Sequence, residues 1–462
     1  MFRKVLIANR GEVACRIART CRRLGIATVA VYSDADAQAL HVAMADQAVR
    51  LGPAPVQESY LRTDLIVQVA RDNGVDAVHP GYGLASEKAA FARAVRAAGV
   101  AFVGPSDVAL EVFGDKMQAR GLAQRAGVAV PPGMSTPLAD DDDESVHAER
   151  VGYPLIVKAA AGGGGIGMQV VDGPDKLARA VKSCRDRARS AFGDARIYLE
   201  RYFASPRHIE VQGMSDGRGQ LVSLGERECS VQRRHQKVIE ESPSPASFFA
   251  GDAGIARKSA LEAAALAVFR AADYVGAGTC EFIVDSAGTA YFLEVNARLQ
   301  VEHPVTEMCT GVDIVELQLR IAAGEALPPA LMNPTRSGHA IEARIYAEDP
   351  SKNFAPQPGR LRTLVWPQAS PELRVETGFR EGDLVTPYYD PMLAKIVAHA
   401  PTRAAAIARL SAALTDTRIE LEGAKGMAQT NLSFLSSILA SSAFQLGAYD
   451  THFAEACAKG LR

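Results

Sequence analysis

From Tyr291 the chain runs Tyr-Phe-Leu-Glu294-Val-Asn296-Ala-Arg298-Leu-Gln300-Val-Glu302-His303-Pro304. Apolar residues alternate with polar ones, the period of a strand, whose side chains point to opposite faces in turn. The alternation predicts one face carrying Glu294, Asn296 and Arg298, with Gln300 and Glu302 following if the extended path continues. A merely solvated face carries Lys, Thr and Ser in loose order. Acid, amide, guanidinium, amide and acid in a row suit a metal ion, an anion and a base held side by side. Residues 278–284 (Gly-Thr-Cys-Glu281-Phe-Ile-Val) read as a second strand, and Asp285-Ser286-Ala287-Gly288-Thr289 between the two has turn chemistry, so a hairpin is predicted. A turn centred near Ala287 sets Glu281 opposite Glu294 or one residue off. Opposed side chains have Cβ atoms roughly 4.5–5.5 Å apart, so two carboxylates there repel unless a cation neutralises them. Carboxylates with an amide oxygen are hard ligands, and Mg²⁺ takes one or two carboxylates and completes its shell with phosphate oxygens and water.

A second group could hold the phosphate. Residues 153–158 read as a strand ending in Lys158, and Ala161-Gly162-Gly163-Gly164-Gly165-Ile166-Gly167-Met168 follows at once. Glycine lets the backbone take positive φ and come close to a ligand. Successive free N–H groups can then cradle phosphate oxygens.

The elements that must position these groups alternate near the N-terminus. Residues 4–8, 28–32, 76–79 and 101–103 read as strands, and Gly11-Glu12 opens a helix with Val13, Ile17 and Leu24 at helical spacing. The alternation predicts a parallel, Rossmann-like layer. No G-x-G-x-x-G follows the first strand, so dinucleotide binding is not supported. A chain of 462 residues suggests two to four domains. Pro131-Pro132-Gly133 marks a hinge-like break, and the Pro-containing stretch near 327–334 a linker. The net charge of −2 and the lack of a long basic run give no reason to expect nucleic acid. Seven cysteines without a C-x-x-C pair indicate neither a disulfide framework nor a zinc site, and fit a reducing, cytoplasmic compartment. No uncharged apolar run reaches membrane-spanning length.

The residues from Glu294 to Glu307 resemble the signature of biotin carboxylase, a member of the ATP-grasp superfamily. Asn9-Arg10-Gly11-Glu12, His79-Pro80-Gly81-Tyr82-Gly83, Gln232-Arg233-Arg234-His235-Gln236-Lys237 and Tyr388-Tyr389-Asp390 are similar to further motifs of that family, in the family's order from about residue 2 to about 440. The resemblance implies an α/β fold, α+β in parts. It comprises a Rossmann-like N-terminal domain (1–112), an ATP-grasp domain (113–320) with a mobile lid (about 131–203), and a C-terminal domain (335–442).

It also implies roles. Lys116, Lys158, Gly163, Gly164, Gly165, Gly167 and Met168 would contact ATP, with Glu200, Arg201 and Phe203 receiving the adenine. His208, Gln232 and His235 would face the nucleotide. Glu281, Glu294 and Asn296 would hold two divalent ions, Mg²⁺ or Mn²⁺. Lys237, Arg298, Gln300 and Val301 would grip bicarbonate, and Glu302 would be the general base. Arg344 would stabilise the enolate of biotin. Arg16 and Tyr82 match positions near the active site or subunit contact. The implied reaction is phosphorylation of bicarbonate by ATP to carboxyphosphate, whose carbon dioxide then carboxylates N1 of biotin.

The chain has no Ala-Met-Lys-Met biotinylation sequence and runs on only a short way past residue 440. The expectation is therefore that biotin arrives on a separate carrier protein or domain, that a carboxyltransferase subunit selects the final acceptor, and that the chain forms a homodimer. The resulting reading is the biotin carboxylase component of a multi-subunit acyl-CoA carboxylase. Another ATP-grasp ligase, which activates a carboxylate as an acyl phosphate, is the nearest alternative, and a nucleotide-binding regulatory paralogue is a second. Ile166 is the paralogue's support, because it stands where the family carries Arg or Lys. Ile166→Arg should lower the KM for ATP in steady-state kinetics; an unchanged KM would remove any role for that missing charge.

Overall fold

The computed structural model describes residues 1–139, 141–161, 167–234 and 236–460. Gly163, Gly164, Gly165, Ile166 and His235 lie outside the described residues. The N-terminal part is a five-stranded parallel sheet in the order Gln47–Gly52, Ala27–Ser33, Lys4–Ile7, Ala77–His79, Ala101–Phe102. Four of these strands were expected. The edge strand Gln47–Gly52 was not, because Gln47, Ala48 and Arg50 are exposed and carry no apolar run to betray it. The order reverses beside Lys4–Ile7, and a crevice opens at the carboxyl ends of the strands where such a reversal occurs. The loops that leave Ile7 and His79 meet there. Asn9 Nδ2 joins them, donating to Pro80 O at 2.7 Å and to Tyr82 O at 2.8 Å.

The largest sheet has eight antiparallel strands, running from Ala290–Asn296 through Gly276–Val284, Arg207–Ser215, Leu221–Arg233, Gln236–Ser242, His339–Tyr346 and Met392–Ala400 to Leu373–Thr377. It crosses the 327–334 linker, so the second and third predicted units share one sheet. Its middle strands divide their side chains by alternation. Ile209, Val211, Cys280 and Phe282 turn to a core with Leu261, Ala265, Val268 and Phe269, the buried stripe of the helix Gly251–Ala271. His208, Glu210 and Glu281 turn the other way. The three strands Leu155–Ala159, Met168–Val171 and Ile197–Arg201 form a separate small sheet. With the helices Glu144–Val151 and Leu177–Phe192 they enclose their own core of Leu155, Val157, Val181 and Leu199. At the other end Phe444, Tyr449, Ala454 and Ala458 pack into the core under Ile341 and Ile396, so the C-terminal body continues past residue 442.

Two contacts lock the bodies together. Gly378, just after Leu373–Thr377, lies so close to the start of the first helix that an added Cβ would sit 2.6 Å from the backbone nitrogen of Glu12. Glu241 accepts from His339 Nε2 at 2.6 Å, from Arg403 Nε at 2.7 Å and from the Tyr449 hydroxyl. Burial alone would push its carboxyl up, but His339 and Arg403 outweigh burial and hold it at about 2.

Gly378→Ala should lower the unfolding free energy by about 1–3 kcal/mol, the usual cost of overpacking against rigid backbone, measured by urea titration. The depressed Glu241 carboxyl gives stability that is complete above the unfolded value of 4.5 and is lost as pH falls through about 2. Wild type should therefore lose roughly 3 kcal/mol over that window that Glu241→Gln does not, read by denaturant titration at a series of pH values.

Candidate active site

A cavity of about 900 Å³ lies between the polar face of the large sheet, the small sheet and the N-terminal crevice. Among the described residues, every predicted site residue lines it except Gly167. Gly167 has φ +73°, and an added Cβ would meet Ala159 Cβ at 3.0 Å, so it packs against the small sheet.

The hairpin has one of the two expected registers, with Glu281 directly opposite Glu294 and Thr279 opposite Asn296, reached through a bulge between Glu281 and Phe282. The next strand continues the row, because Glu210 pairs with Glu281 and Arg227 with Glu210. Three carboxylates thus stand side by side on one face, an arrangement like charges resist. Cations meet all three. Lys237 Nζ donates to Glu210 at 2.6 Å, to Glu281 at 2.9 Å and to Glu302 at 2.6 Å. His208 Nε2 lies 2.7 Å from Glu281, and Lys116 Nζ 3.5 Å from Glu294. Arg227, fully buried, bonds Glu210 at 2.5 Å. Burial opposes ionisation of Glu281, yet Lys237 and His208 hold it well below the usual carboxylate range. Burial opposes the charged His208 as well, and Glu281 overcomes it and raises the imidazole.

The extended path does not continue to Glu302. The strand ends at Asn296, and the N–H of Ala297 bonds Glu87 Oε1 at 3.0 Å instead of a neighbouring strand. Pro304 then opens the helix His303–Thr310, in the first turn where its missing N–H costs nothing. Glu302 stands at the N-cap position of that helix, fully buried, rather than on a strand. The turn still brings the expected groups together. The Arg298 guanidinium donates to Glu87 Oε2 at 2.8 Å, Asn296 Oδ1 at 2.7 Å and Gln300 Oε1 at 3.0 Å, which fixes its plane. Glu302 accepts from Lys237 and, at 2.8 Å, from Arg344. Burial works against its ionisation too, but Lys237 and Arg344 hold the carboxyl well below the usual range.

On the small sheet Lys158 Nζ bonds Glu200, whose other oxygen accepts from Arg120 at 2.5 Å. The Glu200 side chain therefore orients Lys158. Phe203 stacks on Tyr291, ring centroids 5.0 Å apart, and the Tyr202 hydroxyl meets His452 Nε2 at 3.0 Å. Arg16 is buried against Glu307 and Asp313, while the Tyr82 hydroxyl donates to Glu12 at the cavity wall. Glu281, Glu294 and Asn296 form a set of oxygen donors of the kind a divalent ion takes, and Asn296 Nδ2 donates to Glu281 Oε1 at 2.8 Å.

Sequence reasoning missed Glu87, Glu210, Glu240 and Asn431. Glu210 alternates with His208 on the strand Arg207–Ser215, and that alternation was the available signal. Asn431 donates to Arg344 O at 2.9 Å and accepts from Tyr346 N at 2.8 Å, so it anchors the strand of Arg344 from 87 residues away. No local pattern could have announced that.

Residues 1–110, 115–330 and 342–456 match, in turn, the families described as biotin carboxylase, N-terminal domain; carbamoyl-phosphate synthase L chain, ATP binding domain; and biotin carboxylase C-terminal domain. The chain is 50% identical to a biotin carboxylase of Halalkalibacterium halodurans over 98% of its own length and 97% of the relative's. It is 48% identical to biotin carboxylase 2 of Bacillus subtilis, over 98% and 99% of the two chains. It is 46% identical to the methylcrotonoyl-CoA carboxylase alpha subunit of rice mitochondria, spanning 98% of this chain and 60% of that one. Among solved structures, the biotin carboxylase domain of Hydrogenobacter thermophilus 2-oxoglutarate carboxylase, a dimer in complex with MgADP, ADP and bicarbonate, superposes with a TM-score of 0.93 at 40% identity, covering 99% of this chain and 98% of that one. The biotin carboxylase of Campylobacter jejuni, in a complex described as β,γ-ATP, matches equally well at TM-score 0.93 and 40% identity, with 99% of each chain covered. With the buried carboxylates, the paired lysines and the hairpin register already in place, these likenesses over nearly the whole chain show that it belongs to the biotin carboxylase family.

Proposed function

We propose that this chain carboxylates biotin with ATP and bicarbonate, and that it does so on a separate carrier as one component of a multi-subunit acyl-CoA carboxylase. The observation that carries the reading is the Glu302 carboxylate, held ionised between Lys237 and Arg344 beside the fixed plane of Arg298. A planar guanidinium suits a planar oxyanion, and Arg298 with Gln300 and Val301 forms the wall where bicarbonate docks. Lys116 and Lys158 face the triphosphate, and Phe203 with Tyr291 offers the apolar floor for adenine. Glu281, Glu294 and Asn296 would hold the divalent ions, which neutralise charge on the phosphates. Bicarbonate oxygens compete with Glu210, Glu281 and Glu302 for Lys237. As Lys237 turns toward substrate, its grip on Glu302 loosens and the Oε atoms gain basicity toward the bicarbonate hydroxyl proton. Arg344 remains to orient the carboxylate and to face biotin.

The domain reading follows the same lines, with the crevice domain ending near 112, the ATP-grasp lobe near 320 and the lid as the small sheet. Seven unpaired thiols, and the lack of any helix among the described residues long and apolar enough to cross a membrane, are compatible with a reducing, cytoplasmic setting. A homodimer, a biotin carrier and a carboxyltransferase are the partners this reading requires.

The test is ADP release from MgATP and bicarbonate, with and without free biotin. Stimulation by biotin is the expected result; turnover only with another carboxylic acid would point to a different ligase. Glu302→Gln should lower biotin-dependent turnover by about 10²- to 10⁴-fold, the usual worth of a general base, while ATP binding by calorimetry persists.

A further inference from the structure

Beneath the turn that carries Val301 and Glu302 lies a lysine that the proposed mechanism does not use. Lys395 sits on Met392–Ala400, its side chain wholly inaccessible to solvent. In register it lies opposite Arg344 on one side and Glu376 on the other, so it shares the face of the sheet that carries Arg344. Its Nζ donates to the backbone oxygen of Val301 at 2.6 Å and lies 3.2 Å from Glu12 Oε1. Glu12 belongs to the first helix of the N-terminal part, and the same Oε1 accepts the hydroxyl of Tyr82 at the cavity wall. One ammonium thus joins three regions far apart in sequence: the first helix, the Glu302 turn and a strand of the C-terminal body.

The surroundings show where its charge goes. Glu342 lies on the adjacent strand, and burial pushes its carboxyl well above the usual range even against the pull of Lys395. His303, next to Glu302, is kept neutral by burial and by the nearby cations, Lys395 first among them. Its Nδ1 lies 2.7 Å from Gln300 O. Arg344 is occupied by Glu240 and Glu302. Glu12 is the carboxylate that the Lys395 ammonium reaches directly, and the Val301 carbonyl is its hydrogen-bond acceptor. Burying an ammonium costs several kcal/mol unless it is paired and hydrogen-bonded, and an apolar side chain of like volume would fill the same space without that cost. The arrangement gains placement in return. Two bonds, His303 to Gln300 and Lys395 to Val301, fix the turn from which Glu302 reaches Lys237 and Arg344.

We infer that Lys395 is a positioning residue: by holding the Val301 carbonyl against Glu12 it sets the Val301–Glu302 backbone at the bicarbonate site, and it ties that backbone to the Tyr82 wall of the cavity. The inference rests on the reading of Glu302 and Val301 as bicarbonate-facing groups given above. It extends that reading to a side chain that touches no substrate.

The experiment compares wild type, Lys395→Met and the double variant Glu12→Gln/Lys395→Met, which removes both members of the buried ion pair. Three quantities are measured: kcat/KM for bicarbonate in ADP release, the dissociation constant of MgATP, and Tm. Misplacing a reacting group by about 1 Å costs on the order of 10²-fold, so Lys395→Met should lose on that scale in kcat/KM for bicarbonate while MgATP binding stays within about threefold. The double variant should regain much of the lost Tm without regaining bicarbonate kcat/KM. Recovery of both together would overturn the inference, since the lysine would then serve stability alone. So would a loss of MgATP affinity in step with turnover, or a bicarbonate kcat/KM within about threefold of wild type in either variant. If wild type itself shows no bicarbonate-dependent ADP release, the functional reading falls, and this inference with it.

Discussion

The structure around the cavity depends on one partly buried ammonium facing three carboxylates. Lys237 meets Glu210, Glu281 and Glu302, which come from two strands and a turn. Burial raises the cost of every charge in this cluster, and the mutual repulsion of the acids adds to it. Burial also acts against the charged lysine, yet the carboxylates of Glu210, Glu281 and Glu302 push it well above its ordinary value. Glu210 shows the strain from the other side. Burial together with Glu302 and Glu281 raises its carboxyl, against the pull of Arg227 and Lys237. Without the lysine three acids would share one low-dielectric face, and the register that sets Glu294, Glu281 and Glu210 in a row would work against the fold. The sheet tolerates the row because its other face is a well-packed core on the helix Gly251–Ala271, which fixes the strands independently.

That division of labour explains which parts are rigid. The carboxylate row, Arg298 and Glu302 belong to one sheet and one turn, pinned from the N-terminal part by Glu87 and Glu12 and from the C-terminal body by Asn431 and Lys395. Lys158 and Glu200 belong to a small sheet with its own core. A body with a separate core can move as a unit without breaking the large sheet, as closure over a nucleotide requires. The rigid groups are those that touch bicarbonate and the metal ions in the proposed reading. In the same reading the separable body carries Lys158, Met168 and Glu200 toward the nucleotide, while His208 and Gln232 face it from the large sheet.

How far the sequence reveals this depends on the range of each interaction. The hairpin of Glu281 and Glu294 was legible because turn chemistry and alternation are local; counting outward from Ala287 brought the register to within one residue, and a bulge between Glu281 and Phe282 sets Glu281 opposite Glu294. The parallel N-terminal layer was legible from its strand–helix alternation, apart from an edge strand whose residues are largely exposed. The path to Glu302 was left conditional on an extended chain, and the condition fails because alternation carries on past Asn296 in letters but not in backbone. There the paired strand has run out, Glu87 takes the free N–H and Pro304 starts a helix. Glu87 lies 210 residues from Ala297, Asn431 lies 87 from Arg344, and Lys395 lies 94 from Val301. Partners that far apart leave no periodicity behind, so the shell that holds the site was invisible although the site was not.

The same shell sets the terms on which Glu302 can act as a base. A carboxylate held well below its ordinary range is a poor proton acceptor, and here Lys237 and Arg344 are what hold it there. The two cations differ. Arg344 is fixed by Asn431 behind it and shared with Glu240, which burial pushes up to about 7. Lys237 is a point charge on a flexible stem, divided among three acids. Only the lysine can change partners without moving a strand. Basicity at Glu302 therefore rises when an anion takes Lys237 and falls when the anion leaves. The base is strong only when there is a proton-bearing substrate within reach of it. In the proposed reading, proton abstraction and bicarbonate binding are in this way one event, governed by the same charge that offsets the carboxylate row.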